Sequence, residues 1–413
     1  MNESETPGLW TRDFTIITLG SVVSMMGNAM SGFALSLLVL DYTGSTLLYA
    51  VFTICFTAPS FIMPLFSGAI LDRFSRKKTI YCLDFTSAGI YLLAAFLLRS
   101  GGFSFPLLAG GCFVVGTINS VYRVAYESFY PMLITPGFYS KAYSIGSVLE
   151  TLSAVGVPFA TWLYKLVGIA PLLAGNSLFF LIAAVMETRI GFEEPYLKAR
   201  KGEKLSAGSL FGDIREGFRY LWAEKGLLMV ALYFFFSSFC GGAYEVITLP
   251  WFKSAFPNGE YIFMVVGAMS LLGRAVGGGL NYRFRLPKEK KWAVALGVYC
   301  LINLLDGTYL YTPIPVMMVM CFMSGILGVT SYTIRVSATS AYVPDERKGR
   351  FNGAFAMLNT AGTLLGELLA GLLSELIPQR SVVLLFCALG FVAALIFIGG
   401  GKKSVSAIYN REQ

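Results

Sequence analysis

The sequence predicts an all-α membrane protein, with twelve transmembrane helices in two pseudo-symmetric six-helix bundles. Three observations carry that prediction. Apolar residues make up 55% of the 413 residues and charged residues only 14%, against about 25% charged in a soluble chain. The apolar residues gather in runs of about 20, the length that crosses a hydrocarbon core of roughly 30 Å. One long polar stretch, residues 191–226, then separates six such runs from six more.

The runs place the spans at 14–40, 46–70, 79–98, 105–128, 142–165, 169–188, 227–252, 261–282, 292–311, 314–340, 351–374 and 380–400. They are continuous rather than alternating, so the pattern is that of helices and not of a barrel. Several contain Gly or Pro, which membrane helices tolerate. The first run has neither a basic leader nor a small-residue cleavage site and reads as a retained span. The chain therefore divides into an N-terminal bundle (1–190), a linker (191–226), a C-terminal bundle (227–400) and a tail (401–413). Within the linker, "DIREGFRYLWAEK" puts Ile214, Phe218, Leu221 and Trp222 at helical spacing. That pattern predicts a short amphipathic helix lying on the cytoplasmic face.

Basic residues set the orientation. Of the 32 Lys and Arg, Arg99, Lys165, Lys253 and Arg380 fall in one set of connections, and Arg123, Arg274 and Arg335 fall within spans. All the others lie in the opposite set, which includes both termini. By the positive-inside rule both termini are cytoplasmic, as expected for a multi-pass protein of a bacterial cytoplasmic membrane. The net charge of +8 then reflects orientation and contact with anionic lipid headgroups rather than nucleic-acid binding. The seven cysteines all lie within apolar runs and form no CxxC pair, so neither a metal site nor a disulfide frame is indicated. There is no histidine. Any proton chemistry near neutral pH falls to carboxylates.

The halves echo each other. Arg73-Phe74 recurs as Arg283-Phe284, each followed by more bases, and Arg123 upstream of Pro131 is matched by Arg335 upstream of Pro344. Weak internal repeats of this kind are expected of transporters whose halves rock about a midplane site.

Between the second and third spans lies "GAILDRFSRKK". It resembles the Gly-x-Leu-Ala-Asp-Arg-x-Gly-Arg-Arg/Lys signature of the major facilitator superfamily. Gly68, Asp72, Arg73, Arg76 and Lys77 match, while Leu71 and Ser75 depart from the pattern. "VPDERKGRFNGAF", from Val343, looks like the Pro-x-Glu-x-Arg-Gly-Arg element before span eleven, with Lys348 interposed. The first span, "LGSVVSMMGNAMSGFALSLLVLDYTGS", is similar to that of the macrolide-efflux and enterobactin-exporter branch of drug:proton antiporters. Two elements of the antiporters differ: "AVGVPFA" separates Gly156 from Pro158 by Val157, and the fourth span lacks Arg-x-x-Gln-Gly. The resemblance implies the major facilitator fold, with spans one, four, seven and ten lining a cavity. It also implies that the five matching loop residues form a cytoplasmic gate. The bottom-up reading of that loop is compatible with plain positive-inside anchoring of its bases, which leaves Asp72 unexplained.

Ionisable residues within spans cost several kcal/mol unless paired or wet, so each is a functional candidate. Arg123, Glu150, Arg274 and Arg335 lie at a common depth, roughly 12–13 Å in from the cytoplasmic boundary at 1.5 Å per residue. They form a net-positive belt, across which Glu150 and Arg274 are expected to pair between the halves. Glu127 stands one turn from Arg123, spacing that also suits a purely structural pair. Glu150, Glu245 and Glu367 are the proton-carrier candidates. Asn28 and Tyr244 are expected at the substrate cavity, with Gly241-Gly242 either unwinding span seven or packing it closely. Asp306 reads as interfacial, and Asp84 as support for the cytoplasmic charge cluster.

No nucleophile–base pair, metal cluster or phosphate loop suggests an enzyme or a cofactor. Two classes remain. One is a proton-coupled exporter of an amphipathic drug, antibiotic or siderophore, acting as a monomer on a proton gradient. The other is a facilitator or importer of an organic anion or lysolipid. On the gating reading, Asp72→Asn should sharply reduce transport while membrane insertion and expression stay at wild-type levels. Transport assayed against immunoblotted membrane content checks this, and an unchanged rate would leave the loop as a topological anchor only.

Overall fold

The computed structural model describes residues 8–63, 71, 74–102, 104–135, 138, 142, 145, 161–194, 207–283 and 287–410. Among them every regular element is helical, and eleven helices are long and apolar enough to cross a membrane. The span expected at 142–165 falls mainly outside the described residues, but 161–167 are helical. The protein is an all-α membrane protein.

Local sequence sets the helix ends. Helix α1 (Arg12–Thr43) opens at Thr11, whose hydroxyl accepts the Phe14 N–H. It closes at Gly44, in the left-handed region at φ 60°, whose N–H returns to the Leu40 carbonyl. A residue without Cβ adopts that cap at no steric cost. Ser45 starts α2 (Thr46–Thr57) by accepting the Leu48 N–H, and the helix resumes at 59–63. Ser75 caps α3 (Arg76–Arg99) by accepting the Lys78 N–H. Pro106, in the first turn, opens α4 (Phe105–Phe129), which runs into a 3₁₀ turn at Tyr130–Leu133. Gly168 (φ 80°) separates 161–167 from α5 (Ile169–Glu187).

The remaining helices are α6 (Ala207–Ala223), α7 (Lys225–Ala255), α8 (Gly259–Arg283), α9 (Lys291–Thr308), α10 (Ile314–Tyr342), α11 (Asp345–Leu373), α12 (Gln379–Ala393) and α13 (Lys402–Tyr409). A π-helical turn, Ala394–Gly399, follows α12. The wider turn leaves the Ile398 carbonyl to accept the Trp292 indole N–H at 2.9 Å.

The chain divides into two compact units, one of Met1–Gly44 and Cys55–Leu205, the other of Ser45–Ile54 and Ser206–Gln413. In the first, Phe14, Ile17, Ile80, Ala125 and Phe129 form a buried core at the end that carries the basic loop. In the second, Tyr233, Tyr299, Phe351, Ile398 and Tyr409 do the same. Helix α13 belongs to this second core. Its Tyr409 hydroxyl bonds that of Tyr299 at 2.9 Å, and Val405 and Ile408 are fully covered. Helix α6, amphipathic as the sequence predicts, starts earlier than the expected 213 and packs on α11. Leu221 is buried, and Glu216 meets Arg350 at 2.8 Å.

Large apolar side chains such as Leu92, Phe96, Leu178, Leu304 and Ile396 point outward and are exposed. In water they would drive aggregation; in lipid they are the ordinary outer surface. Helix pairing inside the second unit relies on glycine. A Cβ at Gly366 would run into the Phe239 carbonyl, and one at Gly242 into the Thr363 carbonyl, so α7 and α11 meet backbone to backbone. Such close approach is how helices gain packing energy where no hydrophobic force separates lipid from protein. Gly366→Val should therefore lower stability by about 1–3 kcal/mol through overpacking. Gly241→Ala, with nothing within 4 Å of its Cβ position, should be neutral. Thermal unfolding of the two variants in detergent compares them directly.

Candidate functional site

The second unit contains a cavity of about 460 Å³, within the range of small-molecule sites. Five helices supply its walls. Helix α7 contributes Phe234, Ser237 and Tyr244; α8 contributes Ser270 and Arg274; α9 contributes Asp306; α10 contributes Ser324, Ser331 and Arg335; and α11 contributes Asn359. Glycines make room for it: a Cβ at Gly325 would strike the Ser270 carbonyl, so α8 and α10 lie close beside the cavity they share.

The charges within it are held differently. Arg274 is exposed to the cavity space, and its side chain has no ion-pair partner among the described residues. The Arg335 guanidinium lies over three rings, Phe355 at 4.8 Å, Phe234 at 5.1 Å and Tyr332 at 5.3 Å from their centroids. A cation held by π faces keeps its formal charge unneutralised while remaining attracted to its surroundings. Asp306 is half-buried and lines the cavity with Ser324. The sequence reading places it at the interface; instead it faces inward on α9 beside Tyr244 and Arg274. Two guanidinium groups against one carboxylate leave the cavity with an excess of positive charge.

Helix α7 is continuous through Gly241 and Gly242. The unwound alternative is thus replaced by the packing one, because Gly242 seats α7 on the backbone of Thr363 and Glu367. Tyr244 stacks on Tyr309, with centroids 5.5 Å apart. Beside this contact Glu245 is exposed and Glu367 is fully buried. Neither oxygen of Glu367 has a hydrogen-bond partner among the described residues.

In the first unit, Asn28 accepts from the Tyr91 hydroxyl at 3.5 Å and donates to Asn119 at 3.4 Å. These bonds tie α1 to α3 and α4. Arg123 and Glu127 approach to 3.9 Å with side chains 64% and 68% exposed, a contact worth at most about 1 kcal/mol. Gly68, Asp72, Arg73 and Glu150 lie outside the described residues, and with them the expected Glu150–Arg274 pair.

Arg76 and Lys77 are described, and both act as ties. The Arg76 guanidinium donates to the Ser128 carbonyl at 3.0 Å, and the Lys77 ammonium donates to the Ile190 and Phe192 carbonyls at 3.1 and 3.4 Å. The Glu194 carboxylate sits over the start of α3, accepting from the Ser75 hydroxyl and from the Arg76 and Lys77 N–H groups. A carboxylate there satisfies orphan N–H donors and the positive end of the helix dipole. Nothing in the sequence pattern pointed to Glu194, which stands in the polar linker far from α3 in the chain.

The rings around Arg335 give a stability test. Arg335→Met should lower unfolding free energy by about 1–2 kcal/mol, the scale of desolvated cation–π contacts. Arg274→Met should stay within about 0.5 kcal/mol, as substitutions away from such features do. Thermal unfolding in detergent distinguishes them, and equal losses would remove the aromatic cage as the explanation.

The model of the family described as Major Facilitator Superfamily matches residues 17–305 and 292–407. The uncharacterized MFS-type transporter YkuC of Bacillus subtilis (strain 168) is 24% identical over 279 residues, covering 65% of this chain and 64% of YkuC. The chain thus matches just under two thirds of that relative's length. Among solved structures, the nucleoside transporter NupG superposes with a TM-score of 0.65 at 15% identity, covering 94% of this chain and 98% of its own. A mutant of the peptide transporter POT gives 0.69 at 11% identity, covering 98% and 97%. At these identities the likeness is one of fold.

Proposed function

The chain belongs to the Major Facilitator Superfamily and is by kind a secondary transporter, and we propose that it exports an amphipathic small molecule bearing an anionic or zwitterionic group in exchange for protons. The observation that carries the substrate class is the cavity of the second unit. It offers two guanidinium groups, one carboxylate, three aromatic rings at Phe234, Tyr244 and Tyr332, and several serine hydroxyls. Rings bind an apolar body without demanding one shape, and guanidinium groups take a carboxylate or phosphate in a bidentate fork. Efflux is the direction implied by the similarity of the first span to the exporter branch. The setting we propose is a bacterial cytoplasmic membrane, with the protein acting as a monomer and both termini cytoplasmic.

Coupling to protons is the second half of the proposal, and Glu367 supports it. A fully buried carboxyl with no donor on either oxygen is costly to ionise and inexpensive to keep neutral. Such a group holds a proton while enclosed and releases it when the bundle opens to water. Glu245 beside it adds to the cost of a second negative charge. The excess of guanidinium also supports a facilitator or importer of an organic anion, which would ignore a proton gradient.

One assay separates these. A thermal-shift panel containing the anionic dye carboxyfluorescein, zwitterionic lysolipid and the cationic dye ethidium identifies the class that stabilises the purified protein. The stabilising compound is then followed across proteoliposomes under an imposed pH gradient. We expect anionic or zwitterionic compounds to stabilise and the gradient to drive their movement. Glu367→Gln should abolish gradient-driven movement by at least about tenfold while exchange of the same compound continues, because neutral Gln mimics the protonated state permanently. Gradient-independent movement in the wild type would favour the facilitator.

A further inference from the structure

A second pair of buried acids lies in the first unit. Asp84, on α3, is 1% exposed, and Glu187, the last residue of α5, is fully buried. Helix α1 brings them to one place: Ser24 bonds Asp84, and Gly20, one turn earlier, abuts the Glu187 carboxyl. The Ser24 hydroxyl on α1 donates to Asp84 Oδ2 at 3.0 Å, and the Tyr122 hydroxyl on α4 donates to Glu187 Oε1 at 3.5 Å. The second oxygen, Glu187 Oε2, is buried and has no partner at all. Gly20 lets α1 pass close by, since a Cβ there would stand 2.9 Å from Glu187 Oε1.

Among the described residues no cation faces this pair. Around it α1 presents Thr18, Ser21 and Ser24, α3 presents Ser87, and α4 presents Tyr122 with Tyr126 stacked on it at 6.2 Å. The nearest bases in sequence are engaged or turned away. Lys77 bonds the Ile190 and Phe192 carbonyls, Arg76 bonds the Ser128 carbonyl, and Arg189 is exposed. Asp13, the next acid, accepts the Gly191 N–H at 3.0 Å. Two carboxyls in one buried site without a counter-charge cannot both ionise. A bond between them requires a proton, because two carboxylates are acceptors only.

We propose that Asp84 and Glu187 form a proton-binding site of the N-terminal unit, in which one proton is shared between two carboxyls and is exchanged through Tyr122. The Tyr122 hydroxyl is the side-chain donor on Glu187 among the described residues, and the residue as a whole is half-buried, which makes it the route of exchange. A proton leaving the pair produces a dianion whose charge only the Ser24 and Tyr122 hydroxyls offset. Release therefore needs a conformation in which water reaches the pair. The site rests on the proton-coupled reading only for what the proton drives; its existence is independent of any substrate. It would give the first unit a proton station of its own beside that of Glu367 in the second.

The test is an infrared titration of the full-length protein in detergent, with no substrate present. The carbonyl stretch of a protonated carboxyl is followed from about pH 5 to about pH 10, a range that ordinary carboxylates complete below its lower end. Wild type should show a protonated-carboxyl band near neutral pH that disappears on alkalinisation. Glu187→Gln and Asp84→Asn should each remove one and the same titrating component, which Glu367→Gln leaves in place. Tyr122→Phe should keep the band and slow its exchange with deuterated solvent. A band that is unchanged in both single variants, or that does not titrate over the range, overturns the proposal. Folding of each variant is confirmed by size-exclusion chromatography, and the wild-type titration stands even if one variant fails to fold. If the band titrates as expected while proteoliposome transport ignores a pH gradient, the proton site is retained and the coupling reading is the one that fails.

Discussion

A polar group inside this protein has no water to fall back on, and the rest of the structure follows from that constraint. Backbone amides satisfy it by closing into helices. The serines and threonines do so by donating to the carbonyl one turn back, as Ser21, Ser36, Thr43 and Thr53 do. Helix ends, where four N–H groups are orphaned, are closed by Thr11, Ser45, Ser75 and, from far along the chain, Glu194. Only after these demands are met does the remaining polarity become informative. Asp84, Glu187, Asp306, Glu367, Arg274 and Arg335 are polarity that no helix needs.

Packing follows a related rule. Since lipid tails are as apolar as leucine, burying leucine between helices brings little, and close backbone approach brings more. This accounts for the placement of Gly242 and Gly366 between α7 and α11, and of Gly273 and Gly325 between α8 and α10. It also accounts for Gly20, where the small residue serves a buried acid rather than a neighbouring backbone. The same residue type thus sets both the scaffold and the space around the carboxyls.

Much of this was legible in the sequence. Ten of the expected spans coincide with helices to within a few residues, and that at 46–70 does so as far as the described residues reach, because a run of about 20 apolar residues has few alternatives in lipid. Arg274 and Arg335, which the depth argument grouped, both line one cavity. What one dimension could not supply was helix rotation. Asp306 sits near the end of its span, so depth alone made it interfacial, whereas its azimuth on α9 turns it inward. Glu187 is hidden by position too: it is the last residue of α5, where a charge is ordinary, and the passage of α1 at Gly20 helps to enclose it. Gly241-Gly242 left two readings open that differ in backbone geometry, not in composition.

The way the two units treat their buried charge bears directly on mechanism. In an ordinary membrane protein a buried acid is matched by a base, and the pair is inert because breaking it costs about 3–5 kcal/mol. Here the acids stand with acids: Asp84 with Glu187, and Glu367 beside Glu245. The bases stand with rings or with open cavity, as Arg335 and Arg274 do. Among the described residues these six charges have no opposite partner within 4 Å. On the proposed function the balance is completed from outside, by a proton for the carboxyls and an anionic group for the guanidiniums. The two are linked through the bundle that holds both. An anion entering the cavity beside Arg274 changes the cost of every negative charge in α7 and α11, Glu367 included. That linkage is reciprocal by thermodynamic necessity, so a proton that leaves Glu367 must shift the affinity of the cavity by the same factor.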